Sequence, residues 1–249
     1  MKIAKYFAFL TALSALAYLS FHITYENVSA IVLEEAKENK KNEIKIKPIV
    51  VYEDKKDESK EDVEGKKVLN VNTDNFIFIG DSRLSSDSSL YSKTGFKSVD
   101  FITTNNPDYY WMVNAGLDAL NNILNSQPGN YNIVFNLGIN DLNNVKMYID
   151  FFNSLANRYP NQNIFVLSAG PLDEVKALEN GISNIDNDDI YNFNVDIMKG
   201  LDKNIHMIHV FQEFINNGYD TVNGYYFTDD TCRSLYEFIW RQIKELQIN

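Results

Sequence analysis

Five short apolar runs constrain this chain more than any other feature. Three of them are closed by a glycine turn, and all are spaced so that helical patterns fit between them. Asn75-Phe76-Ile77-Phe78-Ile79 ends at Gly80, and Val99 to Thr103 is a second, weaker run. Tyr131 to Leu137 ends at Gly138, Asn163 to Ser168 is followed by Gly170-Pro171, and Ile205 to Val210 is the fifth. Short, nearly continuous apolar runs of this kind suit strands buried on both faces. Helical spacing marks the stretches near 109–125, 143–158 and 187–200, and a last one from about Thr228 to Leu246. Strands alternating with helices require right-handed crossovers, which predicts an α/β chain of three layers around a mainly parallel, five-stranded sheet. Ligands of such sheets sit beyond the carboxyl ends of the strands.

The formal net charge is −11 over 249 residues. Residues 1–68 hold 12 lysines and 12 acidic residues, so the whole imbalance belongs to residues 69–249. A domain this acidic repels phosphates, which argues against a nucleic-acid partner. The single cysteine, Cys232, excludes an intrachain disulfide and falls in the last helical stretch, where a small buried apolar role is expected.

Lys2 and Lys5 precede an uncharged run from Tyr6 to Phe21, and Val28-Ser29-Ala30 follows. A basic start, an apolar middle and small residues at the end describe a signal peptide over residues 1–30, cleaved after Ala30. The same segment is an uncleaved signal anchor if His22 to Tyr25 extend it toward the ~20 residues of a membrane span. Either form places the domain outside the cytoplasm, with membrane contact only through this segment. Residues 31–68 mix charges densely and bury too little apolar surface to offset chain entropy, so they read as a flexible linker. A short strand at Ile49-Val50-Val51-Tyr52 is a competing local reading. The expected domain covers 69–249.

Two polar blocks fall just past strand ends. Gly80-Asp81-Ser82-Arg83 follows the first run and Gly138-Ile139-Asn140-Asp141 follows the third. A serine on a tight strand-to-helix turn exposes its hydroxyl, and its own N–H can serve as an oxyanion donor. Asp81 can brace such a turn through backbone N–H bonds. Asn140 supplies a side-chain amide, a donor suited to a developing oxyanion. No glycine-rich phosphate loop and no ligand-spaced cluster of His, Cys or carboxylates occurs, so neither a cofactor nor a metal is expected.

Together these blocks resemble the SGNH/GDSL hydrolase family over about residues 72–246. Phe78 to Arg83 matches the first block, with Ser82 in the nucleophile position. Gly138-Ile139-Asn140-Asp141 matches the third, with Asn140 as oxyanion donor. Thr221 to Thr228 resembles the last block, usually Asp-x-x-His, and Asp108-Tyr109-Tyr110-Trp111 lies near the second. The resemblance implies a flavodoxin-like three-layer α/β/α sandwich and, in active members, ester or acetyl-ester hydrolysis, often on carbohydrates.

The departures are specific. Asn223 stands in the triad aspartate slot and Tyr226 in the triad histidine slot, with their spacing kept. Asn106, Pro107 and Asp108 stand where the second block has its glycine. His206 and His209 fall on the fifth run and read as ordinary core or rim residues. Two functions follow. One is a catalytically impaired SGNH-like domain that binds a cell-envelope glycan or acylated polymer, with Arg83, Tyr109, Trp111 and Tyr225 among its ligand contacts. The alternative is an active serine esterase or acyltransferase that uses Ser82 with an atypical base. The replacements at Asn223 and Tyr226 favour the first.

Overall fold

The computed structural model describes residues 74–81, 84, 87–96 and 98–248, all within the second of two units of the chain, Val63–Asn249. The expected signal segment and linker therefore lie outside the described residues. Among the described residues no helix is long and apolar enough to cross a membrane.

Five strands form one parallel sheet: β1 (Asn75–Asp81), β2 (Ser98–Thr104), β3 (Asn132–Asn136), β4 (Asn163–Leu167) and β5 (Ile205–Ile208), in the order β2-β1-β3-β4-β5. The helices are α1 (Ser88–Tyr91), α2, α3 (Val145–Arg158), α4 (Glu174–Glu179), α5 (Asn187–Gly200), α6 (Val210–Asn217) and α7 (Asp229–Ile248). Helix α2 runs through Tyr109–Trp111, a π-turn at Met112–Gly116 and Leu117–Ser126. This is the expected three-layer α/β/α sandwich, with every strand pair parallel.

The period of two along each strand divides the core into two faces. Ile77, Ile79, Ile133, Phe135, Ile164 and Val166 pack with Met112, Tyr148, Phe152 and Phe193 beneath α2, α3 and α5. Phe76, Phe78, Val134, Phe165 and Leu167 face α1, α6 and α7. The second face is aromatic: Phe78 meets Tyr236 edge-on at 5.5 Å, and Phe96 meets Phe76 at 4.4 Å and Trp240 at 5.2 Å. Helix α7 reaches it through Cys232, Leu235, Tyr236, Ile239 and Ile243, which recur at helical spacing. Cys232 is buried and forms no disulfide.

One boundary differs from expectation. The apolar pattern predicts a fifth strand through Val210, but β5 stops at Ile208, His209 stands at the start of α6, and Val210 is helical. The run Val210-Phe211-Gln212-Glu213-Phe214 carries both periods, and burial of Val210 and Phe214, four apart, favours the helix.

Candidate functional site

β1 pairs with β2 on one side and β3 on the other, so the strand order reverses between β1 and β3. Their carboxyl ends flank the crevice where ligands of open α/β sheets bind. Gly80, opposite Asn136 in the register, has φ +134°, and a Cβ there would lie 2.0 Å from the Asn136 carbonyl oxygen. Only glycine lets β1 end this close to β3. Asp81 follows and is 1% exposed. Ser82 and Arg83 lie outside the described residues. The Leu84 N–H donates to the Asp81 carbonyl at 2.9 Å.

Asn140 arrives from the loop after β3. Its Nδ2 donates to the Pro107 carbonyl at 3.0 Å and lies 3.5 Å from Asp81 Oδ2. The Tyr225 hydroxyl donates to Asn140 Oδ1 at 2.7 Å and stands 3.3 Å from Asp81 Oδ2. Asp81, Asn140 and Tyr225 thus form one small polar network at the carboxyl ends of β1 and β3.

The last block presents Tyr225 through its own turn. Thr221 and Phe227 bridge antiparallel, and the Val222 N–H donates to the Tyr226 carbonyl at 2.7 Å. Asn223 Oδ1 accepts from the N–H groups of Tyr225 (3.2 Å) and Tyr226 (3.0 Å), a local Asx turn. Gly224 has φ +87° and packs against the Ala177 backbone, where a Cβ would come within 2.0 Å of the Ala177 nitrogen. So Asn223 spends its oxygen bracing the turn, Tyr225 points inward and is buried, and half-buried Tyr226 meets the Tyr225 ring edge-on at 5.0 Å. The sequence placed Tyr226 in the histidine slot and Tyr225 at the rim; in space Tyr225 reaches the centre.

Asp141 is a hub that motif reading left without a role. Its Oδ2 accepts from the Tyr109 N–H (2.8 Å) and Asn144 Nδ2 (3.0 Å), and its Oδ1 accepts from the Tyr148 hydroxyl (2.6 Å). Burial, and then the bond to Asp141, drive the Tyr148 phenol far above its ordinary range, so it stays a donor. Asn106 adopts φ +54°, the only positive φ among described non-glycine residues. The glycine slot of the second block is thus filled by a residue that tolerates left-handed geometry. Asp108 caps α2 through the Trp111 N–H at 2.7 Å.

No family model matches the sequence, and no curated protein matches it. Solved structures do. A protein assigned as a platelet activating factor from Streptococcus pneumoniae superposes with a TM-score of 0.55 at 18% identity, covering 68% of this chain and 83% of that one. A protein assigned as an SGNH hydrolase from Slackia heliotrinireducens superposes with a TM-score of 0.53 at 12% identity, covering 68% and 98%. The chain has the SGNH/GDSL hydrolase fold.

In this SGNH fold the loop after β4 clasps the last block. Asn194 accepts from the Ala169 N–H (2.7 Å) and donates to the Ala169 carbonyl (2.9 Å). Asn187 does the same for Leu172, at 2.8 and 2.9 Å. On the other side the Asp173 N–H donates to the Gly224 carbonyl (3.0 Å) and the Tyr219 hydroxyl donates to the Leu172 carbonyl (2.7 Å). Burial and the nearby carboxylates of Asp173 and Glu174 push the Tyr219 phenol up to about 12. No sequence motif marks these two asparagines; their signal is an amide at a position of α5 where the helical period calls for core.

The aromatics of α2 sit beside the centre through Pro107 and Tyr109. Tyr110 is 60% exposed and meets Tyr109 edge-on at 5.7 Å, while Tyr109 and Trp111 are half-buried against the core. The two described histidines are elsewhere. His206 on β5 and His209 just after it line a cleft with Lys203, Gln242 and Glu245 at the sheet edge. β5 is three strand spacings from β1, about 14 Å across the sheet. Burial lowers the pKa of both imidazoles.

Proposed function

We propose that this is an extracytoplasmic SGNH-fold domain that binds a cell-envelope glycan or acylated polymer without hydrolysing it. The observation that carries this reading is the Tyr225 hydroxyl, which donates to Asn140 at 2.7 Å from the block where the family keeps its histidine. Asn140 in turn gives its amide N–H to the Pro107 carbonyl at 3.0 Å. An oxyanion donor works when it is aimed, unengaged, at the place where charge will develop. Here one amide N–H is given to Pro107 and the Nδ2 also lies 3.5 Å from the Asp81 carboxylate, so the amide is turned toward the protein's own acceptors. A phenol, with a reference pKa of ~10, is a poor proton acceptor near neutral pH. Without a base, a serine hydrolase retains only about 10³–10⁴ over water from binding and the oxyanion hole. Exposed Tyr110 and neighbouring Trp111 offer aromatic faces suited to sugar rings. Extracytoplasmic location rests on the N-terminal segment read from the sequence.

The test is acetyl-ester turnover by the full-length protein and by Ser82→Ala. Equal, near-background rates are expected, together with binding of envelope glycans that weakens in Tyr110→Ala. Turnover that vanishes in Ser82→Ala would overturn the non-hydrolytic reading.

One observation favours the alternative, an active esterase or acyltransferase. The Tyr225 hydroxyl stands 3.3 Å from the carboxylate of Asp81, the residue directly before Ser82. A phenol paired with a carboxylate there is the nearest arrangement to an atypical base. That reading predicts turnover lost equally in Ser82→Ala and Tyr225→Phe.

A further inference from the structure

Asn140 has a second exposure. It lines a cleft of about 340 Å³ between the loop after β3 and the outer face of α5. The volume is within the ~300–1,000 Å³ of small-molecule sites. The other polar walls are Asp141, already engaged by Tyr109, Asn144 and Tyr148, and Asn143, Asn184, Asp189, Asn192 and Asp196; none of the described lining residues is basic. Asp189, Asn192 and Asp196 recur at steps of three and four, so they share one face of α5 while Ile190, Phe193 and Ile197 fill the core.

Helix α5 uses its amides in two ways. Asn187 and Asn194 each commit both amide groups to the backbone of the loop after β4. Asn192, Asp189 and Asp196 are exposed, as are Asn143 and Asn184 across the cleft, and none is bonded through its side chain to another described residue. Five polar side chains therefore converge on one cavity with their hydrogen-bonding capacity unspent.

The chemistry of that capacity is selective. Amides both donate and accept, which matches a hydroxyl, itself donor and acceptor. Carboxylates only accept, which matches hydroxyls and ammonium groups and repels anions. We infer that this cleft is a saccharide subsite that selects sugars carrying hydroxyls and free amino groups over sugars carrying carboxylate or phosphate. The inference rests on the glycan-binding reading above and names the chemical class of its ligand.

The experiment is calorimetric titration of the full-length protein at low salt with four probes: glucosamine tetramer, N-acetylglucosamine tetramer, galacturonate tetramer and tetralysine. The glucosamine tetramer is expected to bind about five-fold tighter than its N-acetyl form, the scale of one or two exposed ion pairs. The galacturonate tetramer is expected not to bind. Asp196→Asn should erase most of that preference, and Asn192→Ala should weaken both glucosamine forms several-fold. Saccharide binding that responds to Tyr110→Ala but not to Asn192→Ala or Asp196→Asn would overturn the subsite and leave the glycan reading standing. Absence of binding by every saccharide would overturn both. Tetralysine binding as tightly as glucosamine tetramer would reduce the cleft to a charged surface and overturn the inference.

Discussion

The hydroxyl of Tyr225 meets the side-chain amide of Asn140 at 2.7 Å across 85 residues of chain. This bond joins the last block of the fold to the loop after β3, and it lies beside the buried carboxylate of Asp81. Removing it in Tyr225→Phe takes the donor from Asn140 Oδ1 and the polar neighbour from the buried Asp81 carboxylate. A loss of about 1–3 kcal/mol is expected. Denaturant titration should show a lower midpoint with an unchanged slope. An unchanged midpoint would mean the bond contributes nothing to folding.

Asn194→Ala removes both partners of the Ala169 backbone in the buried loop after β4. One N–H and one carbonyl are orphaned at once, so the cost should be about 3 kcal/mol. Asn192→Ala, two residues earlier on the solvent face of α5, should stay within about 0.5 kcal/mol of wild type. Thermal melting of the pair decides it, because equal effects would show that the Asn194 clamp is not a stability determinant.

Two glycines separate strain from clash. Gly181 has φ +78° with nothing within 4 Å of an added Cβ, so Gly181→Ala should cost about 1–2 kcal/mol from left-handed backbone alone. Gly224 has φ +87° and the Ala177 backbone 2.0 Å from that Cβ. Gly224→Ala must push the last block off α4, and a loss well beyond that of Gly181→Ala is expected by denaturant unfolding.

His206 and His209 both have their pKa lowered by burial. Each takes a proton less readily in the folded state than once unfolded, where the ordinary value is about 6.5. Below that value the unfolded chain binds more protons, so stability rises with pH through this window and its histidine contribution is complete above it. The melting temperature should fall as pH drops below about 6.5, and the slope should flatten in His206→Gln with His209→Gln. A slope unchanged in the double variant would assign the acid sensitivity to other groups.

The sheet was legible in the sequence because central strands cannot hide. Phe76 to Ile79 and Ile133 to Phe135 are apolar at every position, and each meets a turn where β1 and β3 end. Helix α6 was not legible, since Val210 and Phe211 continue the β-like run of β5 and only packing of Val210 and Phe214 settles the period. The short helices α1 and α4 carry too few residues to establish a period at all. Motif order pointed to Asp81, Asn140 and the block from Asn223 to Tyr226. Which of the two adjacent tyrosines turns inward was beyond sequence, because it depends on the Asx turn of Asn223 and the positive φ of Gly224. The role of the Pro107 carbonyl was equally hidden, since any residue carries one.

The loop after β4 is held by α5 on one side and by Gly224 and Tyr219 on the other. It works like the pin of a hinge that has been riveted at both ends. Evolution can vary the outward residues of α5 freely, but it cannot slide that helix along its axis without dragging the tyrosine that sits over Asp81. Changes of ligand in this lineage would therefore come by repainting the surface of α5, with the position of the centre left fixed.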